Sequence, residues 1–254
     1  MNKKEYEFIK IKKVSGSIGA VIENVQLNND LNEEVFDEIY DAFLKYQVIF
    51  FRDQKFSPES QKSFANKIGK PIIYPFVKGL ENFPEITPIL KKETDTNNFG
   101  GDTEFSNQDL AYNTLSEGMK NFLNNQKAVN ISGKGRVAKT RSDIMKHSSV
   151  GLKGDELEAI HPVVRTHPET KRKSLYVNEA HTTHFVGMSV EESTPILEYL
   201  YKHQIKSEFT CRFKWEKGSV AIWDNRCTMH YPVNDYHGYR RLMHRITFQG
   251  DKPF

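Results

Sequence analysis

The sequence has few cysteines, little net charge and no long apolar run, and each of these absences excludes a class of protein. Its 254 residues include 2 cysteines, Cys211 and Cys227, which are too few for a disulfide framework and fit a reducing compartment, so we expect a cytoplasmic protein. The formal net charge of +3 is too small to indicate a nucleic-acid partner. No apolar stretch reaches the about 18 residues of a membrane span, and residues 1–10 lack the apolar core of a signal peptide. We therefore expect no membrane partner either.

Aromatic residues, in contrast, are plentiful. The 17 Phe and 11 Tyr can fill a sizeable core, so the chain is not expected to be disordered. The length suits one large domain or two small ones, and because we find no repeat or linker we expect a single domain over residues 1–254. The stretch 133–154 is rich in Gly, Ser, Lys and Arg and has little apolar periodicity, which is typical of a mobile loop.

Local signals predict several helices separated by short strands. Asn32 precedes apolar residues at helical spacing and predicts an amphipathic helix over 33–45. Ser57–Pro58 predicts a helix that ends at Gly69. Two further helices are indicated by capping-box pairs, Thr114 with Glu117 and Ser189 with Glu192. The fold class expected from these elements is mainly β with flanking helices, as a sandwich or barrel.

The last forty residues contain the pattern richest in chemistry. A predicted strand over 240–248 places Arg241, Met243 and Arg245 on one face. The two arginines are four positions apart and so stand about 13 Å from each other. That distance leaves room for two anions with a metal-sized centre between them, and His230 lies shortly before this strand. From spacing alone, a surface strand with solvated arginines is an equally good interpretation.

Ordered motifs along the chain carry a family resemblance. They are QVIFFRDQ (47–54), GDTEFSNQ (101–108), NTLSEGMK (113–120) and WDNRCTMHYPVNDYHGYRRLMHR (223–245). In these motifs the chain resembles the taurine-catabolism dioxygenase family. The resemblance implies a double-stranded β-helix (jelly-roll) core and an iron(II)- and 2-oxoglutarate-dependent dioxygenase that uses O₂. Such an enzyme oxidises a small anionic organic substrate, such as a sulfonate, sulfate ester or carboxylate, and releases succinate and CO₂. The resemblance also implies a homo-oligomer, either a dimer or a tetramer.

The same resemblance assigns residues to the metal and the co-substrate. Iron(II) in such enzymes is held by two histidines and one carboxylate on one face. His230 matches the distal histidine of that set. Arg241 matches the arginine that binds the far carboxylate of 2-oxoglutarate, a group that suits a planar guanidinium. Thr103 matches the threonine that assists in binding 2-oxoglutarate.

Three further matches concern the organic substrate. Arg245 matches the arginine that meets the anionic end of the substrate in sulfonate-using members, and Asn98 matches a substrate-side asparagine. Tyr74 stands where taurine-using members carry a histidine that contacts the sulfonate. Because of that replacement, taurine itself is in doubt as the substrate. Tyr74 either donates a hydrogen bond to an anion or is a packed aromatic residue.

The chain departs from the family pattern at one place. NNFGG (97–101) runs directly into DTEF (102–105), so the segment that carries the His-x-Asp metal motif is absent between Gly101 and Asp102. Asp102 belongs to the Gly-Asp-Thr motif and is not expected to replace the missing ligand. Three explanations remain open: a segment omitted from the sequence, a true deletion, or natural loss of the metal. We favour the first, because the residues that match the rest of the site are intact. The alternative function is a catalytically inactive jelly-roll that binds anions.

Other histidines and cysteines are weaker metal candidates. His181 and His184 have a spacing that could hold a metal on a helix turn, but no third ligand accompanies them, and we expect them in a loop. Cys227 precedes His230 by three residues and is expected to be a packed thiol. The remaining candidates, His147, His161 and His167, are expected to be structural or solvent-facing.

Overall fold

A computed structural model describes residues 6–28, 31–75, 77–94, 101–132 and 157–254. The predicted mobile loop over 133–154 and the predicted substrate-side Asn98 lie outside these ranges.

Helices lie in both halves of the chain. Most of them begin at the capping residues that the sequence predicts. Asn32 Oδ1 accepts a hydrogen bond from the backbone N–H of Val35 at 2.9 Å, and the predicted capping box at Ser189 and Glu192 is present. The expected cap at Thr114 is wrong, because Ser116 caps that helix instead. The helices are α1 (Glu33–Tyr46), α2 (Pro58–Ile68), α3 (Gln108–Asn113), α4 (Glu117–Leu123) and α5 (Val190–Gln204). No helix within the described ranges is both long and apolar enough to cross a bilayer.

Short strands make up the rest of the regular structure, so the protein is mainly β with flanking helices, as expected. They are β1 (Lys10–Lys13), β2 (Ala20–Glu23), β3 (Val48–Phe51), β4 (Pro71–Ile72), β5 (Thr87–Lys91), β6 (Thr103–Asn107), β7 (Lys127–Ile131), β8 (Glu158–Pro162), β9 (Val164–Thr166), β10 (Lys173–Leu175), β11 (Thr182–Phe185), β12 (Thr210–Phe213), β13 (Val220–Trp223), β14 (Thr228–Pro232), β15 (Arg241–Arg245) and β16 (Thr247–Phe248).

The strands pair into small sheets. The largest has the order β1-β2-β3-β13, and two sheets of three strands have the orders β12-β6-β14 and β11-β7-β8. The remaining pairs are β15 with β5, β16 with β4, and β10 with β9. β6 therefore lies between β12 and β14, and all three run antiparallel to their neighbours.

Two sequence expectations need correction at the level of strands. The predicted strand over 240–248 is divided at Ile246, because β15 pairs with β5 whereas β16 pairs with β4. His184 does not lie in a loop: it is on β11, where it pairs with Val129 of β7.

An aromatic cluster fixes the sheet that carries the site. Phe50 of β3 stacks on Phe213 of β12, with ring centroids 4.0 Å apart and an interplanar angle of 7°. Phe50 also meets Phe105 of β6 edge-on at 5.5 Å. Such aromatic pairs contribute about 0.5–1.5 kcal/mol each beyond the area they bury. These rings are buried on β3, β6 and β12, so they join the sheet that carries the site to the core.

Candidate active site

A large groove receives most of the predicted site residues. It has a volume of about 2700 Å³ and is lined by Tyr74, Thr103, His230, Arg241 and Arg245, among others. Small-molecule sites usually measure about 300–1,000 Å³, so this groove is wider than a single small ligand requires. The structure thus brings together every predicted site residue within its described ranges.

The two arginines face the groove from one side of β15. Burial alternates along this strand: Arg241, Met243 and Arg245 are half-buried, whereas Leu242 and His244 are exposed. Arg241 pairs across the sheet with Lys91, and Arg245 pairs with Thr87, which is buried. The alternative interpretation of solvated arginines on a surface strand is therefore wrong.

Each arginine is positioned by an aromatic ring rather than by a carboxylate. The guanidinium carbon of Arg245 lies 4.2 Å from the ring centroid of Tyr74, and that of Arg241 lies 5.5 Å from the ring centroid of Trp215. The Nε atom of Arg245 is buried and has no hydrogen-bond partner among the described residues. Burial lowers the pKa of Arg241, and the carboxylates of Asp102 and Asp235 oppose this shift. Cations held in this way favour an anionic ligand.

Thr103 lies at the first position of β6, next to Trp215. The indole N–H of Trp215 donates to Thr103 Oγ1 at 2.9 Å. Sequence reasoning assigned Thr103 to the site but did not assign Trp215 to it. The inward alternation of Cys211, Phe213 and Trp215 was the available signal, since it points the indole away from solvent.

His230 lies on β14, opposite Phe105 of β6. Its ring centroid is 4.9 Å from that of Trp223 and 6.3 Å from that of Phe105. The side chain is exposed to the groove, but desolvation by the surrounding protein, with a smaller contribution from the charge of Arg245, lowers the pKa of His230 to about 4. The imidazole is therefore neutral near pH 7, which is the form that binds a metal ion.

Comparison with known proteins identifies the family of this chain. The sequence pattern of the "Taurine catabolism dioxygenase TauD, TfdA family" matches residues 10–100 and 94–247. The chain belongs to this family.

Relatives and solved structures agree with the family match. An alkylsulfatase of Acinetobacter baylyi is 32% identical over 96% of this chain and 86% of its own length. An alpha-ketoglutarate-dependent sulfate ester dioxygenase of Pseudomonas putida is 32% identical over 94% of this chain and 89% of its own length. The crystal structure of a taurine dioxygenase from Burkholderia xenovorans is 31% identical, with a TM-score of 0.82 over 97% of this chain and 91% of that one. The expected enzyme class, an iron(II)- and 2-oxoglutarate-dependent dioxygenase, is thereby confirmed.

The family match has two parts, and their boundary lies close to the place where the His-x-Asp segment is absent. They meet and overlap at residues 94–100, next to the Gly101–Asp102 junction. The alignment with the alkylsulfatase spans 284 positions although the chain has 254 residues, so at least 30 of these positions (284 minus 254) are filled by the relative alone.

The residues of this chain fit 2-oxoglutarate but do not complete an iron site of the family type. Arg241 and Thr103 offer a guanidinium and a hydroxyl to a carboxylate in the groove. His230, however, belongs to no group of three metal-ligating side chains within the described ranges. The sequence contains no His-x-Asp motif. An iron(II) ion would therefore have one family ligand here, and no chemical step can be derived through it from these residues.

Asp102 is not a substitute for the missing carboxylate. Its Oδ2 accepts a hydrogen bond from Arg212 Nε at 2.8 Å, and Arg212 also pairs with Asp235. These side chains form an exposed ion-pair cluster at the edge of the groove, and the hydrogen bond from Arg212 to Asp102 raises the pKa of that guanidinium. The expectation that Asp102 is not a metal ligand agrees with this geometry.

A second buried group, His167, Asp224 and Cys227, has ligand atoms close together but is a hydrogen-bonded network rather than a metal site. His167 Nδ1 accepts backbone N–H groups from residues 169 and 170, so its proton is on Nε2 and points to Asp224 Oδ2 at 2.9 Å. Asp224 also accepts hydrogen bonds from Arg226. A guanidinium already neutralises this carboxylate. His167 and Cys227 are both buried, in agreement with a structural histidine and a packed thiol.

Proposed function

We propose that the protein oxidises a small organic sulfate ester or sulfonate, with Arg245 binding the substrate anion and Arg241 binding 2-oxoglutarate. The observation that carries this proposal is the placement of both arginines on one face of β15, in the same groove as His230. Each guanidinium lies over an aromatic ring, and neither has an ion-pair partner among the described residues. The groove therefore offers two anion-binding positions, as a reaction with an anionic substrate and a dicarboxylate co-substrate requires.

The co-substrate position consists of Arg241 and Thr103. A guanidinium forms paired hydrogen bonds to a carboxylate, and the Thr103 hydroxyl adds one more donor. Holding the far carboxylate fixes the orientation of the whole 2-oxoglutarate molecule, so that its other end is directed along the groove. Positioning of this kind is the main contribution that a protein makes to cofactor chemistry.

The substrate position consists of Arg245 and Tyr74. The buried Nε of Arg245 lacks a partner among the described residues, and an anionic oxygen in the groove would satisfy it. Tyr74 stacks on the guanidinium and directs it. By resemblance, Tyr74 replaces the histidine that contacts the sulfonate in taurine-using members. Support for a sulfate ester comes from the relatives named alkylsulfatase and sulfate ester dioxygenase. Asn98 remains a proposed substrate-side residue outside the described ranges.

We further propose that a segment carrying the remaining iron ligands belongs between Gly101 and Asp102. Overlapping family matches at residues 94–100 support this position, as two similar stretches merged into one would produce such an overlap. The unusual width of the groove supports it as well, because a further segment would fill part of that space. When bound, iron(II) would supply oxygen activation coupled to the decarboxylation of 2-oxoglutarate to succinate and CO₂.

Three coarser features complete the proposal. The strands are proposed to form a double-stranded β-helix (jelly-roll) core, which the family resemblance implies and the mainly β organisation supports. Cytoplasmic localisation is supported by the free, buried state of Cys211 and Cys227. A homodimer or homotetramer is proposed from the family resemblance alone.

A second candidate function is an anion-binding protein without catalysis. It is favoured by one observation, that His230 has no partner ligands within the described part of the chain. In this case 2-oxoglutarate and organic anions would bind, but no turnover would follow.

A turnover screen distinguishes the two candidates. The natural protein is incubated with iron(II), 2-oxoglutarate, O₂ and a panel of alkyl sulfates, alkyl sulfonates and carboxylates of matched chain length. Succinate is measured for every compound, together with sulfite for sulfonates and sulfate for sulfate esters. Succinate formation that depends on a sulfate ester or sulfonate supports the proposed function. Binding without succinate formation across the panel would instead establish the non-catalytic alternative.

A further inference from the structure

The two proposed ligands of 2-oxoglutarate share one neighbour, Trp215. Its indole N–H contacts the Thr103 hydroxyl, and its ring faces the Arg241 guanidinium. Neither contact follows from sequence spacing, since Trp215 is far from both residues along the chain. A single side chain thus touches both halves of the proposed carboxylate site.

The hydrogen bond from Trp215 determines whether the Thr103 hydroxyl donates or accepts in the groove. An indole nitrogen can only donate, so Thr103 Oγ1 is the acceptor in the 2.9 Å hydrogen bond. A hydroxyl has one proton to donate, and the Thr103 proton has no acceptor among the described residues. The hydroxyl is therefore free to donate into the groove, where a carboxylate oxygen would accept. Hydrogen bonds in such a chain polarise one another, so the indole also makes the hydroxyl a better donor.

The contact with Arg241 determines where the guanidinium lies. A guanidinium at 5.5 Å from the centroid of an indole ring is attracted to the ring face. Trp215 is itself held in place, because its ring meets Phe213 edge-on at 5.2 Å and Phe213 belongs to the buried aromatic cluster. The core thus orients Trp215, and Trp215 orients both ligand groups.

We propose that Trp215 is a positioning residue for the far carboxylate of 2-oxoglutarate, which it serves by fixing Thr103 as a donor and holding Arg241 beside it. This inference rests on the proposed function, in which Thr103 and Arg241 bind that carboxylate. It differs from a purely structural role, in which Trp215 would only fill space next to Phe213.

The first test measures the hydrogen bond without any ligand. The chain has 2 tryptophans, so a ¹⁵N-labelled sample gives two indole N–H signals, which Trp215→Phe and Trp223→Phe assign. Thr103→Val is expected to move the Trp215 indole proton upfield, because the acceptor is lost, and to leave the Trp223 signal in place. Trp223 donates to Asn225 Oδ1 at 2.8 Å, which makes it a matched control. A Trp215 signal that Thr103→Val leaves unchanged would overturn the inference.

The second test measures 2-oxoglutarate binding by isothermal titration calorimetry without metal. Trp215→Phe keeps an aromatic ring but removes the N–H, and we expect the Kd for 2-oxoglutarate to rise about tenfold, as for the loss of one hydrogen bond to a charged group. Thr103→Val should have a similar effect, and the double variant should be no weaker than Thr103→Val, because both remove the same hydrogen-bond chain. Tyr199→Phe, at an exposed aromatic residue of α5 outside the groove, should leave the Kd unchanged. Binding of 2-oxobutyrate, which lacks the far carboxylate, should not change in any variant.

The outcomes separate the inference from the proposed function. If the unmodified chain binds 2-oxoglutarate and Trp215→Phe binds it equally well, the inference fails and the proposed function stands. If the effects of Trp215→Phe and Thr103→Val on the free energy of 2-oxoglutarate binding were additive in the double variant, the inference would also fail. Additivity would show that the two side chains act independently. If the unmodified chain does not bind 2-oxoglutarate at all, the roles of Thr103 and Arg241 in the proposed function fail and the inference fails with them.

Discussion

Tyr74 lies against Arg245, with the guanidinium carbon 4.2 Å from the centroid of the phenol ring. In taurine-using members of the family a histidine stands at this position, by resemblance, and contacts the sulfonate directly. Here the aromatic face is used to hold the arginine. If Arg245 binds the substrate anion as we propose, recognition of that anion depends more on Arg245 in this protein, and Tyr74 contributes by keeping the guanidinium in place.

Replacing Tyr74 tests this dependence. We expect Tyr74→Ala to raise the KM for the organic anion about thirtyfold, because a cation–π contact in a desolvated site contributes about 2 kcal/mol. Tyr74→Phe keeps the ring and should change the KM by less than about twofold. Steady-state kinetics with a sulfate ester as the variable substrate provide the measurement. Equal losses in both variants would show that the phenol hydroxyl, rather than the ring, is the important group.

The two arginines should affect different ligands. Arg241→Ala is expected to raise the 2-oxoglutarate requirement about tenfold to a hundredfold, as for the loss of hydrogen bonds to a charged group, with little change in affinity for the organic anion. Arg245→Ala should show the reverse. Binding of each ligand is measured by calorimetry, with kinetics of succinate formation in parallel. If both variants weakened both ligands equally, the assignment of separate positions on β15 would be wrong.

Local rules predicted the parts of the site that depend on one segment of chain. The alternation of Arg241, Met243 and Arg245 on β15 follows from strand geometry, and the helix that Asn32 caps follows from hydrogen-bonding needs at a helix end. Both features require no knowledge of the rest of the molecule, which explains why they were predictable.

Features that depend on distant partners were not predictable. The division of the last strand at Ile246 depends on β5 and β4, which come from a different part of the sequence. The contact of Trp215 with Thr103 joins residues 112 positions apart. Pattern reasoning could predict a strand over 240–248, but it could not choose the neighbouring strands or the distant contacts.

Acid should destabilise the protein through Asp224. Burial alone would raise the pKa of Asp224, but hydrogen bonds from His167 and Arg226, and the charge of Arg226, outweigh burial and hold the pKa well below its usual range. A carboxyl whose pKa is depressed by folding contributes stability above its unfolded pKa of about 3.9, and this contribution is lost as pH falls through the folded value. Asp224→Asn should therefore lower the Tm by about 10 °C near pH 7 and reduce the loss of Tm between about pH 5 and pH 3.

The control for Asp224 is an exposed ion pair. Arg212→Ala removes the pairs to Asp102 and Asp235 at the edge of the groove, and we expect a Tm change of no more than about 3 °C because exposed pairs contribute about 0–1 kcal/mol. Thermal unfolding followed by circular dichroism over the pH series measures both variants. A Tm in Asp224→Asn that matches the unmodified protein at pH 7 would show that the buried network contributes little.

Metal titration tests the incomplete iron site. Because His230 has no partner ligands in the described ranges, the 254-residue chain should bind Co(II) or iron(II) equally weakly with and without His230→Ala, and calorimetry should detect no stoichiometric site in either. A matched protein with a His-x-Asp segment between Gly101 and Asp102 should bind one metal ion, and His230→Ala should abolish that binding. The discriminating quantity is the dependence on His230, since weak binding to scattered surface carboxylates would be equal in all variants. Stoichiometric binding by the 254-residue chain that His230→Ala removes would show that other side chains complete the site, and the proposed segment at the Gly101–Asp102 junction would then be unnecessary.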